Sequence, residues 1–361
     1  MQRGWLITLI IVMAVAASTL ITYLVVRPTS PGLSANLTDT LSGFSEDQPL
    51  DSTYSTANDA ARLERLSTSS VLGPALSPDG RKVVYLERTS GQLMASDFSG
   101  KTNTPYQTTV LTGSDTLIWE RDATTLLARQ AYQGKLRWLY HRLDGTAAIL
   151  LAENISSPVF SPTGNKLAYL YFDPASQTGN ISLANPDGSN FSPLIPTRQD
   201  SLIIDWLDSD HLLFSKKVAS EGIFILDTTS QKLNRLIEEN NTSSWLVSPD
   251  SNYILYQQQP ALGGGLVVFT MTTKTKQVIG LNSQPEQCTW GINSDKLFCA
   301  GSLTDGVAAL FVIDLKNKQI RQLSGSLEQA GISIYKPFLT PTADYLIFIN
   351  QLDNYLYSYR L

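Results

Sequence analysis

A nine-residue unit made of a tight turn and a short strand recurs seven times along this chain at nearly constant spacing. "SPDGRKVVY" at 77 returns as "SPTGNKLAY" at 161, "SPDSNYILY" at 248 and "TPTADYLIF" at 340. Between them stand three weaker copies: "ERDATTLLA" at 120, "WLDSDHLLF" at 206 (one residue shorter) and "GINSDKLFC" at 291. Successive starts lie 43, 41, 45, 42, 43 and 49 residues apart, a period that chance does not produce. The turn has a local cause: Pro fixes φ at the first corner, Asp or Thr bonds its own backbone, and Gly tolerates positive φ. The β-branched and aromatic residues that follow suit a strand packed between two sheets.

Each copy carries the same internal order. An apolar strand leads into the turn and a second leaves it; a third follows, such as "GIFILD", "LVVFTM" or "LFVIDL", and then a polar turn and a fourth, such as "KLNRLI" or "QIRQL". Four short strands every 41–49 residues predict an all-β, seven-bladed β-propeller over residues 61–361. The chain ends at "NYLYSYRL", in the third-strand slot of the seventh repeat, while "ARLERLS" at 61–67 reads like a fourth strand standing before the first. The N-terminal strand is therefore expected to complete the last blade and remove an open sheet edge. The Ser-Pro-Asp-Gly hairpins resemble those of the TolB-like periplasmic propellers and of the propeller half of prolyl oligopeptidases, over residues 62–361. The resemblance implies the propeller fold, which hosts many unrelated activities. The seven repeats depart from the six blades of the Tol-associated proteins, and three of the seven lack Ser-Pro.

Upstream the sequence changes character. After a four-residue N-terminus, residues 5–26, "WLITLIIVMAVAASTLITYLVV", hold no charge across 22 positions, enough for a helix to cross about 30 Å of hydrocarbon at about 1.5 Å per residue. The small residues "AVA" at 14–16 raise the alternative of a cleaved signal peptide, but the apolar stretch runs ten residues past them, which favours an uncleaved anchor. Residues 27–60 lack a periodic apolar pattern and, after Arg27, contain no Lys or Arg until Arg62; they read as a flexible tether. The expected location is the cell membrane, single-pass, with the propeller outside the cytoplasm.

The chemistry-bearing residues are few. A net charge of −5 argues against a nucleic-acid partner, and two His with two Cys are too few for most closed zinc sites. No cofactor is expected. "ASDFSGKT" at 95–102 falls short of a phosphate-cradling loop and reads as a turn of the first blade. His141 and His211 have no acidic or Cys partner in motif spacing, and no Gly-x-Ser-x-Gly elbow is present. Trp119, Trp206 and Trp290 each sit beside the repeat turn, a placement that favours packing between blades over ligand stacking. Cys288 and Cys299 flank a turn symmetrically and would face each other across a hairpin, either bonded or as two buried thiols. Binding is expected on one rim, where the longer loops are read as 129–138, 171–180, 257–266 and 324–337, with Arg129, Tyr132, Lys217, Gln258 and Tyr335 as candidates. Two function classes remain. One is a non-catalytic binding module for a protein, peptide or glycan of the cell envelope; the other is a lyase or hydrolase of a surface polymer, working in the central channel.

Overall fold

The computed structural model describes residues 45–46, 61–218, 220–239, 244–258, 265–303 and 306–361. In the four copies that begin with Ser or Thr, that first hydroxyl closes the hairpin. The backbone N–H five residues on donates to Ser77 Oγ (3.0 Å), Ser161 Oγ (3.1 Å), Ser248 Oγ (2.9 Å) and Thr340 Oγ1 (3.2 Å). These four side chains are buried, so the turn needs a small residue that can accept a hydrogen bond there.

Seven antiparallel sheets of four strands result, labelled A to D in each blade. Blade 1 is Val71–Leu76, Val83–Glu87, Gln92–Ser96 and Asn103–Val110. The A strands of blades 2 to 7 are Ser114–Trp119, Ile155–Phe160, Leu202–Trp206, Trp245–Val247, Cys288–Trp290 and Ile334–Leu339. Neighbouring A strands touch, from blade 1 to 2, 3 to 4 and 6 to 7, which places them around the axis. The B strands read as unbroken apolar runs because both of their faces are covered. In blade 1, Val83 and Tyr85 pack on Ile347 and Leu356 of blade 7, while Leu86 packs on Leu117 and Leu126 of blade 2. The core is thus a series of apolar layers, each lying between two blades.

The ring closes with an N-terminal strand. Leu63–Arg65 forms strand D of blade 7 and pairs antiparallel with Leu356–Arg360, strand C, with Leu63 opposite Tyr359 and Arg65 opposite Tyr357. Upstream, Ser45–Glu46 adds a short parallel fifth strand beside Gln319 and Ile320, on strand D of blade 6 (Gln319–Gln322). The segment read as a tether is therefore not wholly without pairing. The rest of residues 27–60 and the expected anchor at 5–26 lie outside the described residues. Among the described residues no helix is long and apolar enough to cross a membrane.

Two kinds of blade alternate. Blades 1, 3, 5 and 7 carry the Ser-Pro or Thr-Pro turn, while blades 2, 4 and 6 lack it and end strand A in tryptophan. Each indole N–H donates to a carbonyl of strand A in the preceding blade: Trp119 to Gly73 (2.5 Å), Trp206 to Val159 (3.2 Å) and Trp290 to Leu246 (3.1 Å). The tryptophans join blades 1 to 2, 3 to 4 and 5 to 6.

The stretch read as a loop over 129–138 is mostly strand. Strands B (Thr125–Tyr132) and C (Lys135–Arg142) of blade 2 continue to a two-residue turn, because Gln133 and Gly134 adopt the positive φ, 51° and 77°, that such a hairpin requires. In blade 3 the strands likewise run to Asp173 and resume at Thr178, leaving a shorter loop than 171–180. In the 324–337 stretch, Tyr335 belongs to strand A of blade 7.

Candidate functional site

Two cavities lie along the A strands. One, of about 420 Å³, is lined from blades 4 to 7 and includes Asp205, Trp245, Glu286 and Lys336. The other, of about 460 Å³, is lined from blades 7, 1 and 2 and includes Arg88, Asp115, Tyr335 and Lys336. Lys336 belongs to both.

The position of Lys336 is set by a backbone irregularity. Strand A of blade 7 shifts register between Tyr335 and Phe338, as strand A of blade 1 does between Leu72 and Ala75 and that of blade 3 between Ser156 and Val159. At each shift a residue with positive φ precedes a proline: Gly73 (54°), Ser157 (49°) and Lys336 (47°). In blade 1 the reason for glycine is plain, since a Cβ at Gly73 would stand 2.6 Å from Leu117 Cβ. A non-glycine residue held there costs on the order of 1–3 kcal/mol. The Lys336 Nζ lies 5.4 Å from the centre of the Tyr335 ring and makes no hydrogen bond or ion pair among the described residues.

Two of the cavity acids, Asp115 and Asp205, are already engaged. Arg129 grips Asp115 through Nε–Oδ1 (2.8 Å) and Nη2–Oδ2 (3.0 Å), and its guanidinium stands 5.7 Å from the Trp138 ring centre. Burial raises the Asp115 carboxyl, but hydrogen bonds from Arg129 and Thr116 and the charges of Arg129 and Arg88 bring it below the ordinary carboxylate range. Asp205 moves the other way. Burial pushes it up to about 6, opposed by hydrogen bonds from the Trp206 backbone N–H and the Trp245 side chain. A raised folded-state pKa favours the protonated form. Stability from this group is full below the unfolded value of 3.8 and falls as pH rises toward about 6. Asp205→Asn is therefore expected to stabilise the fold by about 2 kcal/mol at pH 7.5 and by little at pH 4. Urea titrations at the two pH values test this, and an equal effect at both would contradict it.

Of the rim candidates, Tyr335 lines the 460 Å³ cavity, and Arg129 reaches it through Asp115. Tyr132 is exposed at the tip of the blade 2 hairpin. Lys217 and Gln258 follow strands B of blades 4 (His211–Lys216) and 5 (Tyr253–Gln257) and line neither cavity. Arg88, Asp205 and Lys336 escaped the sequence reading. The available signal was Lys-Pro at 336–337 standing in register with Gly-Pro at 73–74 and Ser-Pro at 157–158.

The remaining motifs are structural. His141 is buried on strand C of blade 2, its imidazole pushed down by that burial. His211 does have an acidic partner, which corrects the sequence reading: its Nδ1 lies 2.9 Å from Oδ1 and 3.0 Å from Oδ2 of Asp208 in its own A–B turn. In the near-phosphate loop, Asp97 takes the donors a phosphate would need, accepting N–H bonds from Ser99 (2.9 Å), Lys101 (3.2 Å) and Thr102 (2.8 Å). Burial opposes its ionisation, but the hydrogen bonds from Thr102 and Ser99 hold it at about 2. Cys288 and Cys299 are opposite partners on strands A and B (Lys296–Gly301) of blade 6 and are joined as a disulfide.

No family model matches the chain, and no curated protein sequence does. Solved structures share its fold. Oligogalacturonate lyase from Vibrio parahaemolyticus aligns at TM-score 0.61 and 11% identity, over 82% of this chain and 93% of that one. The propeller domain of Swd1 from Myceliophthora thermophila aligns at 0.57 and 12%, over 82% and 99%. TolB from Acinetobacter baumannii aligns at 0.48 and 11%, over 71% and 65%. A second oligogalacturonate lyase structure, at TM-score 0.60 and 11% identity over 83% and 90%, is a complex with manganese. Among the described residues of this chain no three His, Cys, Asp or Glu stand close enough together to hold a metal ion. At these identities the likeness carries the fold alone: an all-β propeller of seven four-stranded blades.

Proposed function

We propose that this protein is a membrane-anchored binding module, held outside the cytoplasm, whose propeller recognises a protein, peptide or glycan of the cell envelope without chemical turnover. The observation that carries this reading is Lys336. An exposed cation without an ion-pair partner among the described residues is held at a positive-φ position on the wall shared by two cavities, while Asp115, on the wall of one of them, is clamped by Arg129. The same bulge recurs in blades 1 and 3 with Gly73 and Ser157, so what sets blade 7 apart is the charge carried there. The Cys288–Cys299 bond agrees with an oxidising compartment, and the uncharged run at 5–26 supplies the anchor.

Two experiments test it. Protease added to intact cells is expected to release the propeller by cutting upstream of it; a fragment protected until lysis would place the propeller in the cytoplasm. A photo-crosslinking residue at Tyr132, on the B–C rim, is expected to capture an envelope partner, and one at Asp122, in the A–B turn on the opposite rim, is not. Equal capture at both positions would reject the rim. The enzymatic reading draws on a different residue. Asp205, raised to about 6 within a cavity, has the character of a general acid or base, and the lyases sharing the fold suggest an acidic glycan as substrate. Polymer cleavage that disappears in Asp205→Asn would favour that reading.

A further inference from the structure

We infer that the cavity between blades 7, 1 and 2 is a carboxylate site that takes the free C-terminal end of a peptide. The inference deepens the binding-module reading and rests on it. Two exposed cations line the cavity and have donors unused within the described residues. Lys336 Nζ makes no hydrogen bond or ion pair among the described residues. Arg88 spends only its Nε, on the Val71 carbonyl at 2.9 Å, and both its terminal nitrogens are unbonded among the described residues. The acid on the same wall, Asp115, is held through both oxygens by Arg129 and also feels the charge of Arg88. Counting Arg129 with Asp115, the lining carries an excess of two positive charges, those of Arg88 and Lys336.

A carboxylate suits nitrogen donors of this kind on one wall, one of them a guanidinium fork. The rest of the lining identifies what the carboxylate is attached to. Leu72, Pro74, Leu117 and Ile349 offer apolar wall beside Thr116, Tyr335 and Asn354, and about 460 Å³ lies within the range of small-ligand pockets. That combination fits a terminal carboxylate followed inward by apolar side chains, a recurring mode of peptide capture. A uronate carries the same carboxylate but would set much of its hydroxylated ring against the apolar wall, with Thr116, Tyr335 and Asn354 as its polar neighbours. The equivalent bulges hold glycine in blade 1 and serine in blade 3, so the turn itself does not call for a lysine at 336.

The test uses the full-length protein, immobilised, and two fluorescent peptide pools degenerate at their last three positions. One pool ends in a free carboxylate and the other in an amide. The free-acid pool is expected to be retained about ten-fold or more over the amide pool, the factor a lost charge-assisted bond produces. Lys336→Gly, which adopts positive φ without strain, and Arg88→Gln are each expected to abolish the preference; Lys336→Arg is expected to keep it. Circular dichroism melts confirm that the variants fold. Equal retention of both pools by the wild type overturns the inference, and so does a preference that survives Lys336→Gly. Displacement of the acid pool by digalacturonate, with tighter binding, overturns the peptide assignment. These outcomes leave the binding-module reading intact, because that reading stands or falls on capture of an envelope partner at Tyr132.

Discussion

Removing residues 1–68 is expected to cost the propeller at least about 4 kcal/mol and to drive it into aggregates, because the last blade loses strand D and a buried leucine together. Leu66 is only 2% exposed and packs with Val71, Tyr85, Ile347 and Leu356; its loss alone is worth about 2–5 kcal/mol. The same deletion frees the partners of several directed bonds. Leu66 N–H donates to the Leu356 carbonyl at 2.7 Å, and the Leu356 N–H donates to Ser67 Oγ at 3.0 Å. Arg62 donates to the carbonyls of Arg360 and Leu323, at 2.8 and 3.2 Å, with its guanidinium 4.6 Å above the centre of the Tyr359 ring. Removing residues 1–41, by contrast, is expected to leave the melting temperature unchanged to within about 2 °C. A third truncation, of residues 1–58, also takes away the short pairing of Ser45–Glu46 with blade 6 and is expected to lower stability by less than about 1 kcal/mol. Melts of the three fragments read out the order. Equal melting temperatures and solubility for the 1–41 and 1–68 deletions would mean that the ring does not depend on its N-terminal strand.

Trp206→Ala is expected to destabilise by about 3–5 kcal/mol, and Trp206→Phe by about 1–2 kcal/mol. The indole is 5% exposed, packs in the layer between blades 3 and 4, and its N–H bonds the Val159 carbonyl. Alanine removes both packing and bond, whereas phenylalanine keeps most of the packing and leaves the carbonyl without its donor. Trp290→Ala should behave similarly, at 6% exposure, and Trp119→Ala should cost less because that ring is only half-buried. Urea denaturation gives the numbers. A loss below about 1 kcal/mol for Trp206→Ala would mean that the tryptophans do not bind blade to blade.

The architecture was legible in the sequence because its determinants are local. In four blades a hydroxyl that accepts the N–H five residues on and a proline corner, and in all seven a polar turn before an apolar run, leave marks within nine residues, and seven marks fix the number of blades. The closing strand at 61–67 could be recognised because it shares its pattern with the other outer strands. Features that depend on register were hidden. Whether 129–138 was loop or strand depended on Gln133 adopting φ of 51°, which its identity does not announce. Lys336 looked like one lysine among several, because its exposure to the channel follows from a shift in strand pairing rather than from its neighbours in sequence. The ionisation of Asp205 depends on walls contributed by four blades. The facing of Cys288 and Cys299 was readable from symmetry about a turn, but facing cysteines are equally consistent with thiols and with the bond present here.

The alternation of blade types has a consequence for where a ligand can sit. The blades follow a rhythm of two, yet there are seven, so the parity fails once around the ring. It fails between blades 7 and 1, where two blades of the same kind meet: both turns are of the Ser/Thr-Pro type, with Gly80 lying against Pro341, and both A strands carry the X-Pro bulge. No tryptophan bridges that junction; the chain's own N-terminal strand does. A strictly regular ring would present equivalent grooves at every blade and give a partner no single address. The odd blade count breaks that equivalence at one seam, and the cavity bearing Lys336 and Arg88 opens beside it. Frustrated periodicity thus turns a repetitive scaffold into one with a unique position.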